Sequence, residues 1–272
     1  MKWKQLIGGS LLAVSLLALG ACGTSSNSSS SDSLKSIQDK GTLTVALNPE
    51  FAPFEFKTLV NGKDTVVGAD VDIANAVGEA LGVKVKFLSM SFDNVLSSLQ
   101  SGKADIAVSG ISATKERQKA YDFSDSYYES QNVVIVRKDE LDKYKQADDF
   151  KGLQVAVQKG SIQESIAQEQ LKGAKVVALT QNSEVISELK NKKIDAVVLE
   201  KPIAKGYVEK NSDLAIAESV TLTSGESDAY AIAMPKGSTE LKDKINQVIK
   251  ELKDSGKIDE FVQSAYEQSI ND

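Results

Sequence analysis

Hydrophobic and polar positions along this chain switch between strand-like runs and helical periodicity, and the switching recurs in two successive series. Gly41 to Leu47 (GTLTVAL) reads as a buried strand. The loop Asn48-Pro49-Glu50-Phe51-Ala52-Pro53-Phe54-Glu55 follows, its two prolines ending the strand and stiffening the chain. After a turn at Asn61-Gly62, Ile73, Val77, Ala80 and Leu81 fall on one face of a helix over Asp70 to Leu81 that stops at Gly82. Val83 to Leu88 is the next strand, and Phe92 to Leu99 a helix with Val95, Leu96 and Leu99 inward. Gly102 then leads into a central strand from Ala104 to Val108. Strands alternating with helices imply a parallel sheet covered by helices.

The second series begins at Leu153 to Val157 and continues with a helix from Ser161 to Leu171, whose Ser161-Ile-Gln-Glu164 has capping-box spacing. Lys175 to Leu179, Ser183 to Lys190 and Ile194 to Leu199 follow as strand, helix and strand, and Pro202 suits the first turn of another helix. The two series echo each other: Leu99-Gln-Ser-Gly-Lys-Ala-Asp105-Ile-Ala-Val stands against Leu189-Lys-Asn-Lys-Lys-Ile-Asp195-Ala-Val-Val. Each is a helix end, a basic turn, an aspartate and a buried strand. The echo predicts two lobes of similar topology, with Ser109 and Glu200 just past the carboxyl ends of matching strands, where ligands bind in open α/β sheets. The tail adds a strand, Tyr230 to Met234, and amphipathic helices over Leu241 to Leu252 and Ile258 to Tyr266.

The N-terminus changes where the fold starts. Lys2 and Lys4, the apolar run Leu6 to Leu19 and then Leu19-Gly20-Ala21-Cys22 have the parts of an export signal, residues 1–21, to be set apart from the fold. The apolar run is shorter than the roughly 20 residues of a membrane span. Cys22 is the only cysteine, so an internal disulfide is excluded. Its setting resembles a bacterial lipobox, which implies lipidation of Cys22 and a membrane anchor. Residues 22–33, nearly all serine from Thr24 onward, form a flexible tether.

Composition narrows the chemistry. The chain holds no histidine, which excludes a Ser/His/Asp triad, a histidine-ligated zinc and a histidine base, while a single lipidated cysteine excludes a thiol nucleophile. No cofactor is implied. The formal net charge of −6, more negative still without Lys2 and Lys4, argues against nucleic acid as a partner. Of 32 basic residues only Arg117 and Arg137 are arginines. Surface charge is supplied by lysine, so an arginine is expected where its planar fork is needed to hold a carboxylate by two parallel hydrogen bonds. Arg117 sits on a helical turn opened by Thr114, after the turn of Ser109, Gly110 and Ser112 and before an aromatic segment with Phe123 and Tyr127.

Six stretches, in order and after a lipobox, resemble the family 3 extracellular solute-binding proteins, the amino-acid receptors of bacterial ABC importers. They are Asn48-Pro-Glu-Phe-Ala-Pro-Phe-Glu, Gly68-Ala-Asp-Val-Asp-Ile, Phe92-Asp-Asn-Val-Leu, Ser109-Gly-Ile-Ser-Ala-Thr-Lys-Glu-Arg117, Asp122-Phe-Ser-Asp-Ser-Tyr and Val198-Leu-Glu200-Lys-Pro. The resemblance runs from about Ile37 to the C-terminus. It departs from the family at Ala69, where an aromatic residue usually follows the glycine. It implies an α/β, two-lobed periplasmic-binding-protein-like (type II) fold with two hinge strands: lobe 1 from 34–129 plus 225–272, lobe 2 from 130–224.

The roles it implies are these. Arg117 clamps the ligand α-carboxylate, with Ser112, the Gly110 backbone and the helix start at Ser161 adding hydrogen bonds. Glu200 receives the α-ammonium, assisted by Ser109. Phe51 and Phe92 sandwich the ligand side chain, as apolar cover or as a cation–π face. Asn48, Glu55, Gln158, Ile162 and Leu199 line the rest. Asn48 stands where histidine and lysine binders often have aspartate, and Glu55 partly restores the cationic case, so a glutamine-like and an arginine-like ligand both remain open. The implied protein is a monomer on the outer face of the cell membrane, in a Gram-positive setting, that binds a free amino acid and closes over it for a permease. A dehydratase on the same scaffold and a sensing lipoprotein without transport are the competing readings.

Overall fold

The computed structural model describes residues 32–223 and 229–271. The signal segment, Cys22, most of the tether and Gly225 lie outside the described residues. The chain begins with α1 (Asp32–Lys40), β1 (Thr42–Leu47), the short β2 (Glu50–Phe51) and the hairpin of β3 (Glu55–Val60) and β4 (Lys63–Val67). Asn61 and Gly62 both have positive φ, 52° and 75°, as a two-residue hairpin turn requires. Then come α2 (Ala69–Leu81), β5 (Lys84–Ser89), α3 (Phe92–Gln100), β6 (Ile106–Ala107), α4 (Lys115–Ala120) and β7 (Tyr121–Phe123). After β8 (Tyr128–Glu129) the second series runs β9 (Asn132–Arg137), β10 (Gln154–Gln158), α5 (Ile162–Gln170), β11 (Lys175–Leu179), α6 (Asn182–Lys190), β12 (Ala196–Glu200), α7 (Lys201–Lys210) and β13 (Leu214–Ile216). The chain returns through β14 (Ala229–Tyr230) and ends with β15 (Ala233–Pro235), α8 (Thr239–Asp254) and α9 (Lys257–Asn271).

Two five-stranded sheets result, ordered β5-β1-β6-β15-β7 and β11-β10-β12-β9-β13. Three neighbouring strands are parallel in each, and two further strands complete it through two antiparallel pairings. This is the two-domain α/β architecture of the type II binding-protein fold. The repeated aspartate has the same task in both sheets. Asp105 Oδ2 accepts the Thr44 N–H at 2.7 Å, and the Asp105 N–H donates to the Thr44 carbonyl at 2.9 Å. Asp195 Oδ2 accepts the Gln154 N–H at 2.8 Å, and its N–H returns to the Gln154 carbonyl at 2.8 Å. Each aspartate fixes the register of its central strand against the first strand, pairing Val45 with Ile106 and Val155 with Ala196. The continuous apolar runs are explained by burial on both faces: Leu43, Val45, Ala46, Val155, Ala156 and Val157 are inaccessible to solvent.

The tail departs from the single strand expected over Tyr230 to Met234. It divides into β14, paired with β8, and β15, paired with β6 and β7. Between them the Ala231 N–H goes to the Ile111 carbonyl and the Ile232 N–H to the Ser124 hydroxyl, so the chain changes partners without leaving donors unpaired.

Arg137 closes the second sheet from within. It is 8% exposed; Nη1 donates to the carbonyls of Leu189 (3.1 Å) and Ile194 (2.6 Å), and Nε to Glu140 Oε2 (2.7 Å). One fork thereby joins the end of β9 to the turn between α6 and β12. Arg137→Ala leaves two carbonyls and a carboxylate without this donor, and is expected to destabilise the fold by about 3 kcal/mol. Urea unfolding checks the value, and a loss under ~0.5 kcal/mol would mean that the fork is replaceable by water.

Candidate functional site

Ten residues from the two lobes meet around one small cavity. Phe51, Phe92, Gly110, Ser112 and Arg117 come from the first lobe, and Gln158, Ser161, Ile162, Gln163 and Glu200 from the second. The lobes are closed on each other along its rim. Gln158 Nε2 donates to Asn48 Oδ1 at 2.9 Å, Lys159 Nζ meets Asp93 Oδ2 at 3.1 Å, and Arg117 Nη2 donates to the Gly160 carbonyl at 3.1 Å.

Arg117 is placed by its own helical turn. The Thr114 hydroxyl caps α4 by accepting the Arg117 N–H at 3.2 Å, and Nη1 is held by the Ser112 carbonyl at 2.9 Å. The guanidinium carbon lies 5.8 Å from the centre of the Phe92 ring, within cation–π range. Desolvation lowers its pKa to about 10, with the attraction of Glu200 opposing the shift, so Arg117 is charged at neutral pH. Glu200 ends β12 and is 5% exposed. A half-buried guanidinium and a buried carboxylate from opposite lobes therefore face the same space.

The start of α5 is left open. Ser161 does not cap it: its hydroxyl donates backwards to the Gln158 carbonyl at 2.7 Å. Glu164 reaches the Gly160 N–H at 3.1 Å, one residue earlier than the capping-box spacing predicts. The first N–H groups of α5 thus stand beside the cavity without the side-chain cap, and a helix N-terminus favours negative charge.

Two glycines permit these approaches. Gly110 has φ 53°, and a Cβ there would meet the Phe51 ring at 2.5 Å. Gly160 has φ 78°, and a Cβ would lie 3.2 Å from Asp93 Cα across the cleft. The Phe51 ring also belongs to an aromatic cluster, 6.1 Å from Phe54 and 6.1 Å from Tyr230, and Tyr230 stacks on Tyr128 at 5.6 Å. The cavity wall therefore rests on β8 and β14, the paired strands between the lobes.

Nine of the residues expected at the site line the cavity; Asn48, Glu55 and Ser109 stand behind it. Asn48 Nδ2 donates to the Met90 carbonyl at 2.9 Å while its oxygen receives Gln158. The Ser109 hydroxyl accepts the Asn48 N–H at 3.0 Å and donates to Glu55 Oε1 at 2.5 Å. Glu55 is inaccessible to solvent, and Leu199 is buried in the core of the second lobe. Sequence reasoning missed Gln163, which lines the cavity and donates to Asn132 Oδ1 at 2.6 Å. It also missed Asp70, which accepts the Gly110 N–H at 2.8 Å. A polar residue on the inward side of an otherwise apolar helix face was the available signal for both.

The model for bacterial extracellular solute-binding proteins of family 3 matches residues 43–268. The amino acid ABC transporter substrate-binding protein AbpA from Streptococcus pneumoniae Canada MDR_19A, solved bound to L-arginine, is 47% identical. That likeness covers 87% of this chain and 99% of the other, with a TM-score of 0.84. The arginine-binding extracellular protein ArtP of Bacillus subtilis (strain 168) is 33% identical over 96% of both chains. The L-cystine-binding protein TcyA of the same organism is 28% identical over 98% of this chain and 99% of its own. These three relatives are, by name, binding proteins for amino acids, and this chain belongs to the bacterial extracellular solute-binding proteins, family 3.

Proposed function

We propose that this chain is an extracellular receptor for a basic L-amino acid, arginine first, which it encloses between its lobes and delivers to the permease of an ABC importer. The observation that carries the reading is the opposition of Arg117 and Glu200 across one small cavity. An α-amino acid brings a carboxylate to the first and an ammonium to the second. The uncapped start of α5 adds N–H donors near the carboxylate, whereas the Gly110 N–H expected to join them is already given to Asp70, and Phe51 and Phe92 flank the side chain.

The preference for a cationic side chain follows from charge balance. Glu200 at the cavity and the Glu55–Asp70 pair behind it lie within electrostatic reach of one another, and even with one proton held between Glu55 and Asp70 they set two negative charges against the single guanidinium of Arg117. A zwitterion leaves that acidic excess in place, whereas a ligand with one further positive charge offsets it in a setting where water screens little. The arginine bound by the pneumococcal relative agrees with this. Lobe 1 is residues 34–129 plus 225–272 and lobe 2 residues 130–224. Cys22 carries the lipid that holds this monomeric domain on the outer face of a Gram-positive membrane. Closure is driven by ligand contacts that exist only when Glu200, Gln158 and α5 come up to the first lobe.

A thermal-shift screen of residues 34–272 against the common amino acids with ornithine, citrulline and cystine is expected to rank arginine first. At ligand ~1,000-fold above Kd the gain is about 4 kcal/mol. If glutamine shifts the midpoint and arginine does not, the Asn48–Gln158 amide pair selects the ligand, and the cationic reading fails. Arg117→Ala is expected to weaken ligand binding by about 2–5 kcal/mol by titration calorimetry, with Arg117→Lys recovering only part. A loss below about threefold would remove Arg117 from the carboxylate site. Gly160→Ala, strained by about 1–2 kcal/mol and crowding Asp93, is expected to favour the open form; X-ray scattering with saturating ligand would then report a larger radius of gyration than for the native chain.

A further inference from the structure

Behind the Gly110 turn, hydrogen-bond donors can be counted against acceptors, and one is missing. Asp70, in the first turn of α2, accepts the Gly110 N–H through Oδ2 at 2.8 Å and the Tyr127 hydroxyl through Oδ1 at 2.8 Å. Glu55, at the start of β3, accepts the Ser109 hydroxyl through Oε1 at 2.5 Å. Ser109 has given its only hydrogen, and its oxygen takes the Asn48 N–H. Among the described residues no donor reaches Glu55 Oε2, although both carboxyl groups are inaccessible to solvent and lie within hydrogen-bonding reach of each other. Two buried carboxylates in contact repel, and each pays for the loss of its hydration.

We infer that Glu55 and Asp70 share one proton, carried on Glu55 Oε2 and donated to Asp70, and that this bond is the positioning device of the Ser109-Gly110 turn. Placing the proton on Glu55 follows from the partners. Asp70 has two donors that stabilise its charge; Glu55 has one, and it also faces Glu200 from the second lobe. The remaining titratable neighbours are Tyr127, before β8, and Tyr230, on β14, whose hydroxyls are held protonated, principally by burial. With the proton in place both carboxyl groups have partners for both oxygens. Asp70 then holds Gly110, and the same turn presents the Ser112 carbonyl to Arg117. Glu55 and Asp70 are positioning residues on this reading, acting through Gly110 and Arg117, and the reading does not depend on which amino acid the cleft takes.

The pH dependence has a definite sign. Burial raises Asp70 to about 6 and lifts Glu55 well above its ordinary 4.5. An acid whose folded pKa is raised contributes most to stability below its unfolded pKa. That contribution is lost as pH rises from about 4.5 through the folded values, because the unfolded chain has already released the proton.

The test uses the ligand-free protein. Infrared spectra of the native domain at neutral pH are expected to show a protonated-carboxyl C=O band that E55Q removes. The glutamine amide supplies an N–H to Asp70 in place of the shared proton, so E55Q is also expected to flatten the fall of Tm with rising pH. In NMR, the Gly110 amide resonance should titrate with the midpoint of the infrared band in the native chain and stay fixed in E55Q. Absence of the band at neutral pH overturns the inference, as does its persistence in E55Q. A band that titrates without moving the Gly110 resonance would overturn the positioning role. None of these outcomes turns on ligand binding, so they are separable from the fate of the receptor reading.

Discussion

A guanidinium half-buried at the boundary between two lobes is the constraint on which the rest of this structure depends. Withdrawing a charge from water costs several kcal/mol unless partners are already aimed at it. For Arg117 they are supplied in three steps. Its own turn is pinned by Thr114, one side of its fork is taken by the Ser112 carbonyl, and the other by Gly160 on the far lobe. The carbonyl oxygens satisfy N–H groups without neutralising the charge, so the positive field persists in the cavity, where Glu200 answers it from the other side. Glycine at 110 and 160 is a consequence of that arrangement, because side chains there would displace Phe51 or Asp93.

The scaffold that holds this pair is one topology used twice. The sheets match strand for strand, β5 with β11, β1 with β10, β6 with β12, β15 with β9 and β7 with β13. Their difference lies in where the antiparallel neighbour of the central strand comes from. In the second lobe it is the first strand to enter, β9; in the first lobe it is β15, arriving after the chain has left and returned. The first lobe is therefore finished by the C-terminal part of the chain, and α8 and α9 pack on α2 to seal it. Both central strands end at the cleft, which brings Ser109 and Glu200 to related places and lets each lobe contribute one charge.

Much of this was legible in the residues. Periodicity located α2, α3, α5, α6, α8 and α9 to within a few positions, since each has a continuous apolar face, and Asp105 and Asp195 marked the repeat because a buried register bond needs that side chain in both copies. Where the signal failed, the deciding interactions are long-range. β3 and β4 form a hairpin with Leu59 68% exposed, so no inward-outward alternation announces them beyond their Asn61-Gly62 turn. The 3₁₀ segments Lys138–Lys143 and Ala147–Phe150 carry charged runs that resemble a plain loop. The capping box of α5 was right in spacing and wrong in pairing, because Ser161 answers to Gln158 in the preceding turn. Asn48, Glu55 and Ser109 have the composition of pocket residues, yet they bond to one another behind the wall, and only the fold decides which layer a polar side chain joins.

Tyr128 and Tyr230 also have a mechanical meaning. They sit on strands that are hydrogen-bonded to each other, Glu129 opposite Ala229 and Tyr128 opposite Tyr230, so the two connections between the lobes cannot slide independently. Relative motion is thereby reduced toward a single angular coordinate. The Phe51 ring bears on Tyr230 close to that axis while Lys159 and Asp93 meet at the cleft rim, so a small rotation at the aromatic pivot becomes a large opening at the mouth. The molecule is a lever with its fulcrum built from the pocket's own wall.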